Sequence, residues 1–271
     1  MITRRRFALF TGCFLSGSIA SKFGVGCVSV PLANFSLTAF KYGQSTLPES
    51  WAYQNGSKSR RVPISFLFYM IDTGKRKILV DAGCDSMPGF EMEHFITPVK
   101  LLHRYGLSPD DITDVVITHA HHDHIGGVAH FKKANIYIQK DEARLGAKYL
   151  KGLKVQTFDE CYKINDFIEI KKIAGHSIGS SIVIIHYQDK PIVLAGDECY
   201  VRKCLDEKIP TGVSCDLKRS EEFIRTYSSN EYEVLLYHDF SILPNQNGAL
   251  CLRASCPKLN ASSESYCKSN Q

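Results

Sequence analysis

A single segment constrains this chain more than any other part of its 271 residues. Residues 115–127 read Val-Val-Ile-Thr-His-Ala-His-His-Asp-His-Ile-Gly-Gly. The first three are apolar and β-branched, which predicts a buried strand. Four side chains that can bind divalent metals follow directly, namely His119, His121, Asp123 and His124. Because a strand end is a rigid place from which to aim ligands, the segment predicts a metal site at a sheet edge.

The spacing within this segment divides the four side chains into two pairs. Residues two apart on extended backbone point the same way, so His119 and His121 can bind one ion. Asp123 and His124 lie where the chain should turn into a helix, and they could reach a second ion. His122 points opposite to His121 and is left out. The alternative, a surface histidine cluster, explains one such residue more easily than a whole block placed between a strand and Gly-Gly.

The pattern from Thr118 to Gly127 resembles the signature of the metallo-β-lactamase-fold hydrolases. The resemblance implies an α/β fold, a four-layer αββα sandwich in which two sheets pack face to face with helices outside. The predicted order of elements agrees, because a β-rich part is followed by alternating strands and helices and then by a second β-rich part. The resemblance also implies that Asp81, in the Asp-Ala-Gly that follows a buried strand, supports the metal ligands from behind.

Three later candidates each follow an apolar β run. His176 lies in Gly-His-Ser, Asp197 follows the run 191–196, and His238 follows the run 233–237. A catalytic zinc takes about three protein ligands plus water, so two histidines alone would leave a site incomplete. A structural zinc is the alternative, but structural sites are closed and usually rich in cysteine. The resemblance implies three ligands for each of two metals and one between them: His119, His121 and His176; Asp123, His124 and His238; and Asp197.

Two divalent ions, expected to be zinc, can share a water and lower its pKa towards about 7, which makes hydroxide at neutral pH. They can also polarise a carbonyl oxygen, so esters, thioesters, amides or phosphoesters are possible substrates. Tyr200 stands three residues after Asp197, and this Asp-x-x-Tyr is similar to that of the N-acyl homoserine lactonases. The resemblance implies a quorum-quenching lactonase in which a metal-bridging hydroxide opens the ring, with Asp123 and Tyr200 as catalytic residues.

Other functions fit less well. Thioesterases of the glyoxalase II type share the metal ligands but add a C-terminal helical region, whereas only 33 residues follow His238. The β-lactamases of this fold generally lack a carboxylate at the position of Asp197. Another ester or amide metallo-hydrolase remains an alternative. So does a non-catalytic metal-binding protein, which metal content without turnover would reveal.

The N-terminus predicts an export signal. Thr3 to Phe7 form a twin-arginine pattern, and an apolar stretch continues to about Ala20. No apolar run reaches the roughly 18 residues of a membrane span. We therefore expect export by the twin-arginine machinery to the periplasm or the exterior. The predicted organisation is a signal and linker, a catalytic domain and a polar tail, at residues 1–33, 34–252 and 253–271.

The charge of the chain argues against a nucleic-acid partner. The formal net charge is +5, and three of those units come from Arg4, Arg5 and Arg6. A form without the signal would carry +2, which is not the basic footprint of a nucleic-acid binder. The expected partner is a small lactone or ester.

Turn and capping residues predict several element boundaries. We expect a first strand over 35–42 that is stopped by Gly43, a short helix over 126–131, and a helix over 141–150 capped by Asp141.

Overall fold

The computed structural model describes residues 35–89, 91–188, 190–244 and 246–254. The predicted signal and linker, residues 1–33, lie wholly outside this part, as does the predicted tail apart from residues 253 and 254, so both stay predictions. Within the described residues, no helix has the length and apolar character needed to cross a membrane.

The described residues form twelve strands and six α-helices. The strands are β1 (Ser36–Pro48), β2 (Arg61–Asp72), β3 (Lys77–Val80), β4 (Asp114–Ile117), β5 (Asn135–Gln139), β6 (Lys154–Phe158), β7 (Cys161–Lys163), β8 (Ile168–Lys172), β9 (Ser181–Ile185), β10 (Ile192–Leu194), β11 (Glu233–Leu235) and β12 (Gly248–Ala254). The helices are α1 (Glu49–Ala52), α2 (Pro98–Arg104), α3 (His122–Ile125), α4 (Lys140–Leu145), α5 (Arg202–Asp206) and α6 (Leu217–Tyr227). Short 3₁₀ turns cover Pro109–Asp111, Val128–His130 and Gly196–Glu198.

The strands form two sheets. Sheet A has the order β12-β1-β2-β3-β4-β5-β6, and sheet B has the order β11-β10-β9-β8-β7. In sheet A the strands from β3 to β6 run parallel, while β12, β1, β2 and β3 pair antiparallel. In sheet B only the pair β10–β11 is parallel. The parallel strands of sheet A require crossovers, which the helices following β3, β4 and β5 provide.

Three apolar clusters define four layers. Between the sheets, side chains such as Val116 from sheet A meet side chains such as Val183 and Leu194 from sheet B. On the outer face of sheet A, Val115 and Ile117 pack with α2 and α3. A third cluster joins the outer face of sheet B to α5 and α6. The αββα layering predicted from the sequence is therefore confirmed, and β4 is apolar throughout because both of its faces are buried.

Several boundaries differ from the predictions. β1 continues through Gly43, because a bulge between Lys41 and Gly43 accommodates the extra residue and pairing with β2 resumes. The helix predicted over 141–150 is α4, which ends at Leu145, and its cap is Gln139, whose side chain accepts from the backbone N–H of Asp141. The helix predicted over 126–131 is replaced by α3 and the following 3₁₀ turn. β12 extends two residues into the predicted tail.

A buried ion pair stabilises the start of β4. Asp114 is fully buried, and Arg76 Nε donates to its Oδ2 over 2.8 Å. Arg76→Ala would leave this carboxylate without its cation, although hydrogen bonds from Thr113 and Tyr137 remain. We expect the free energy of unfolding to fall by about 3 kcal/mol, the lower end for such a loss, measured by urea denaturation at pH 7.

The matched control is Arg60→Ala, because Arg60 pairs with Glu49 while its own side chain is 72% exposed. That change should lower the free energy of unfolding far less than Arg76→Ala does, because an exposed ion pair contributes little to stability. Burial alone would raise the pKa of Asp114, but hydrogen bonds from Arg76, Thr113 and Asn135 lower it below its usual value. The stability that Asp114 contributes is therefore present at neutral pH and lost as pH falls below about 4. An equal cost for both variants at pH 7 would contradict this account.

Candidate metal centre

The ends of several strands deliver the predicted ligands to one edge of the sandwich. The block from His119 to His124 follows β4 of sheet A, while Asp197 and His238 follow β10 and β11 of sheet B. His176 lies in the loop between β8 and β9. That loop is fixed to the block, because the Ser181 N–H donates to the backbone oxygen of Thr118 over 3.0 Å. Residues distant in sequence therefore meet where the two sheets join.

The first group of donor atoms contains three histidines and one carboxylate. His121 Nδ1 lies 2.8 Å from His119 Nε2 and 3.0 Å from His176 Nε2. Asp197 Oδ2 lies 3.5 Å from His176 Nε2 and 3.8 Å from His119 Nε2. The four donor atoms lie within 4.8 Å of one another. We call His119, His121 and His176 the three-histidine set.

The second group contains Asp123, His124 and His238, whose donor atoms also lie within 4.8 Å of one another. Asp123 Oδ2 is 3.7 Å from His124 Nε2 and 4.0 Å from His238 Nε2. Asp197 Oδ1 is 3.1 Å from His124 Nε2 and 3.4 Å from His238 Nε2. The two oxygens of Asp197 thus face different groups, which is the position predicted for a carboxylate between two metals.

These separations fit tetrahedral coordination. With zinc–ligand bonds of about 2.0–2.1 Å, neighbouring donors around one ion lie roughly 3.3 Å apart. The donor–donor distances given above run from 2.8 to 4.0 Å. Two of the atoms, His124 Nε2 and Asp197 Oδ1, lie 3.1 Å apart, and both are buried with no other hydrogen-bond partner among the described residues. Because a buried polar atom is costly without a partner, the donor set fits two divalent cations.

Hydrogen bonds on the far side of the rings orient the ligands. His238 Nδ1 lies 2.8 Å from the backbone oxygen of Ser65, and His176 Nδ1 lies 3.0 Å from that of Val213. Each ring can donate from Nδ1 to its carbonyl, which leaves Nε2 with a free lone pair for a metal. His124 Nδ1 makes the corresponding contact with the carboxylate of Asp81.

Asp81, predicted to support the metal ligands from behind, contacts His124 and Thr118. Its Oδ2 lies 2.8 Å from His124 Nδ1, and its Oδ1 accepts the N–H and hydroxyl of Thr118 at 2.8 and 2.9 Å. Asp81 has a φ of 65°, a left-handed conformation that aspartate tolerates better than most residues. One carboxylate therefore connects the end of β3 to the ligand block and orients the His124 ring.

The electrostatics favour the metal-binding forms of His119 and Asp197. Burial lowers the pKa of His119, and repulsion from His124 and His176 lowers it further. Burial would raise the pKa of Asp197, but His124 and His238 hold it well below its usual value. Neutral imidazoles and an ionised carboxylate are the forms that bind metals. Burial lowers the pKa of His124 as well, but Asp197, Asp81 and Asp123 outweigh it and raise that pKa, so protons compete for this ligand.

Tyr200 lies at the junction of the two groups. Its ring centre is 4.8 Å from that of His238 and 5.7 Å from that of His176, and the side chain is 7% exposed. Burial raises the pKa of this phenol, and the charges of Asp197 and Asp123 raise it further. Tyr200 is therefore a protonated hydrogen-bond donor at neutral pH.

His122 lies away from both groups. Its Nδ1 is 3.0 Å from the hydroxyl of Tyr149, and its Nε2 is 3.0 Å from the backbone oxygen of Ser86. This placement agrees with its exclusion from the predicted ligands.

Two supporting residues were not predicted. Tyr237 stacks on the His124 ring with 3.8 Å between ring centres, and its hydroxyl donates to the backbone oxygen of Asp123. Glu198 is buried and accepts hydrogen bonds from the backbone N–H of Gly175 and the hydroxyl of Ser180. Burial raises the pKa of Glu198 to about 7. One indication of these residues was present in the sequence, because Tyr237 directly precedes His238 and Glu198 directly follows Asp197.

Comparison with known proteins supports the fold and the family. Residues 67–160 match the family described as the Metallo-beta-lactamase superfamily. The chain is 26% identical to an N-acyl homoserine lactonase of Bacillus cereus over 167 residues, which cover 52% of this chain and 67% of that protein. It is 31% identical to a probable metallo-hydrolase of Methanocaldococcus jannaschii over 150 residues, 55% of this chain and 66% of the relative.

A solved structure extends the likeness over most of the described part. The crystal structure of a quorum-quenching N-acyl homoserine lactone lactonase aligns with a TM-score of 0.67 and 21% identity, covering 76% of this chain and 92% of that one. At this identity the likeness shows the fold alone. The metallo-β-lactamase sandwich predicted from the sequence is thereby confirmed.

Proposed function

This chain is a member of the metallo-β-lactamase superfamily of hydrolases, and from that premise we propose that it opens lactone rings, with N-acyl homoserine lactones as its substrate class. The observation that carries the proposal is the position of Tyr200 between His176 and His238, next to the carboxylate that faces both donor groups. Named lactonases among the relatives, such as that of Bacillus cereus at 26% identity, support it.

We propose a role in ester hydrolysis for each part of the site. Two divalent ions, proposed to be zinc, would supply Lewis acidity and a lowered pKa for water. The phenol of Tyr200 donates a hydrogen bond to the substrate carbonyl oxygen or to the ring oxygen as it departs. When water adds to the carbonyl carbon and the ring C–O bond breaks, the ring oxygen leaves as an alkoxide and needs a proton.

We propose that Asp123 transfers that proton. Its side chain is 16% exposed, against 3% for Asp197, so it is the carboxylate of the site with access to a substrate. It can accept a proton from the attacking water and pass it to the departing alkoxide, which gives the hydroxy acid. The reaction consumes one water and needs no other reactant.

A substrate panel tests the proposal. Zinc-loaded protein is mixed with N-hexanoyl homoserine lactone, γ-butyrolactone, a glutathione thioester and a simple amide, and acid release is followed by pH-stat titration. We expect the homoserine lactone to be hydrolysed fastest, with its ring-opened acid found by mass spectrometry. Chelator-treated protein, whose metal content is checked separately, is the control.

The outcomes separate the alternatives. Preferred cleavage of the thioester would favour the glyoxalase II-like alternative. Two bound metals without turnover of any substrate would favour a non-catalytic metal-binding protein.

Export through the predicted twin-arginine signal is proposed on the sequence alone, and detection of the protein in a periplasmic fraction tests it.

A further inference from the structure

Glu142 is a buried carboxylate outside the set of predicted ligands. It lies in α4 and is 1% exposed, yet it forms no ion pair with any Lys, Arg or His of the described residues. Its helix begins at a fixed position, because Gln139 Oε1 accepts from the backbone N–H of Asp141 over 2.6 Å. A buried carboxylate without a cation is costly unless other donors satisfy it, so its hydrogen-bond partners should reveal its role.

Three donors from two separate loops converge on this carboxylate. The backbone N–H of Ala120 donates to Oε2 over 2.8 Å. On the other oxygen, Oε1 accepts the hydroxyl of Ser177 over 2.7 Å and the backbone N–H of Gly179 over 2.8 Å. Each oxygen of Glu142 thus serves a different loop.

Both loops carry metal ligands. Ala120 stands between His119 and His121, and Ser177 directly follows His176. From these contacts we propose that Glu142 is a positioning residue that holds the three-histidine set in its metal-binding arrangement. It touches no donor atom itself. It fixes the backbone on both sides of the set, so that the three rings are already converged when a metal arrives.

The two loops that contact Glu142 also pack closely against α4. A Cβ atom at Gly179 would lie 2.2 Å from Gln139 Oε1 and 2.9 Å from Glu142 Cγ, so a larger residue there would displace the Gln139 or Glu142 side chain. On the same side of the helix, a Cβ at Gly146 would lie 3.4 Å from Ala120 Cβ. The two loops are therefore held against one face of α4, with the carboxylate between them.

The role is specific to one of the two donor groups. The second group depends on other contacts, since Asp81 orients His124 and the backbone oxygen of Ser65 orients His238. Glu142 makes none of its three hydrogen bonds with that group. A change at Glu142 should therefore weaken one metal-binding step and leave the other nearly unaltered.

The chemistry of the contact also demands a carboxylate. All three partners are donors, and a carboxylate presents two acceptor oxygens. A glutamine of nearly the same shape has one acceptor oxygen and one amino group, so it must turn a donor towards either Ala120 or the Ser177–Gly179 pair. Glu142→Gln should release one loop without creating a cavity.

The experiment uses the full chain in two states. In metal-free protein, amide hydrogen exchange is measured for Ala120 and Gly179. In zinc titrations against a competing chelator, the two binding steps are resolved separately. For Glu142→Gln we expect at least one of the two amides to exchange about tenfold faster. We also expect one binding step to weaken by about 10- to 100-fold, the usual effect of losing an outer contact to a ligand.

Asp141→Asn is the matched control, because it makes the same carboxylate-to-amide change one position earlier, at a side chain that pairs with Arg144. It should match the wild type in both measurements. If Glu142→Gln fails to fold, Glu142→Asp keeps the charge but shortens the side chain, and it should produce the same loss in the same binding step.

The proposal is overturned if both amides keep wild-type protection, or if both zinc steps weaken equally. It rests on the proposed metal centre but not on the lactone. The exchange measurement needs neither metal nor substrate, so failure of this proposal can be told apart from failure of the proposed function.

Discussion

Asp197→Asn is expected to lower kcat/KM for the proposed lactone by about 10³-fold or more, the largest effect of any single change considered. Oδ2 of this side chain faces the three-histidine set, while Oδ1 faces His124 and His238. An amide supplies one oxygen, so one of the two groups would face an amino group that cannot bind a metal. Metal analysis should therefore find fewer than two ions per chain.

The control for this change is Asp239→Asn. Asp239 is also buried, but it follows β11 and belongs to neither group of donor atoms, because its Oδ1 accepts from the backbone N–H and hydroxyl of Ser241 and its Oδ2 pairs with Arg202. It should retain two metals and activity within a few-fold of wild type. Full metal content and turnover in Asp197→Asn would show that this carboxylate does not hold both ions.

Tyr200→Phe is expected to lower kcat for a homoserine lactone by about 10²-fold while leaving metal content unchanged. The substitution removes the hydroxyl but keeps the ring that packs against His238, so thermal stability should stay close to wild type. If the phenol assists the departing alkoxide, an aryl ester with a good leaving group should lose much less activity. Comparing kcat and KM for the two substrates measures this difference.

Tyr149→Phe serves as the control, because its hydroxyl lies near the ligand block but contacts His122. It should not alter the ratio of lactone to aryl-ester turnover. If Tyr200→Phe keeps full activity on both substrates, Tyr200 is a packing residue of the apolar cluster to which its ring belongs.

The clustering of the candidate ligands could be predicted because their signals are local. His119 to His124 form a dense block after an apolar run, and later runs end in Asp197 and His238. Sheet layering followed from the same runs, since buried parallel strands are apolar on both faces. The lactone substrate gained no comparable local signal beyond Tyr200, because substrate choice depends on the walls of the site, which differ among proteins that share this fold.

Other features had no local signal. β6 is polar and mostly exposed at the edge of sheet A, so no apolar periodicity marks it. β12 lies at the opposite edge and pairs with β1, a partner from the far end of the domain. The role of Glu142 was equally hidden, because a glutamate in a helix ordinarily faces water. Only the folded chain shows that α4 packs against the ligand loops.

The division of the donors between the two sheets has a consequence for assembly. Sheet A supplies the block after β4, and sheet B supplies Asp197 and His238, so neither half alone offers a complete coordination sphere. Bound divalent ions would then connect the two sheets, and their binding free energy would add to the stability of the folded sandwich. When free metal is 100-fold above its dissociation constant, each bound ion would raise the free energy of unfolding by about 2.7 kcal/mol. The folded chain would therefore be most stable at high concentrations of free divalent metal.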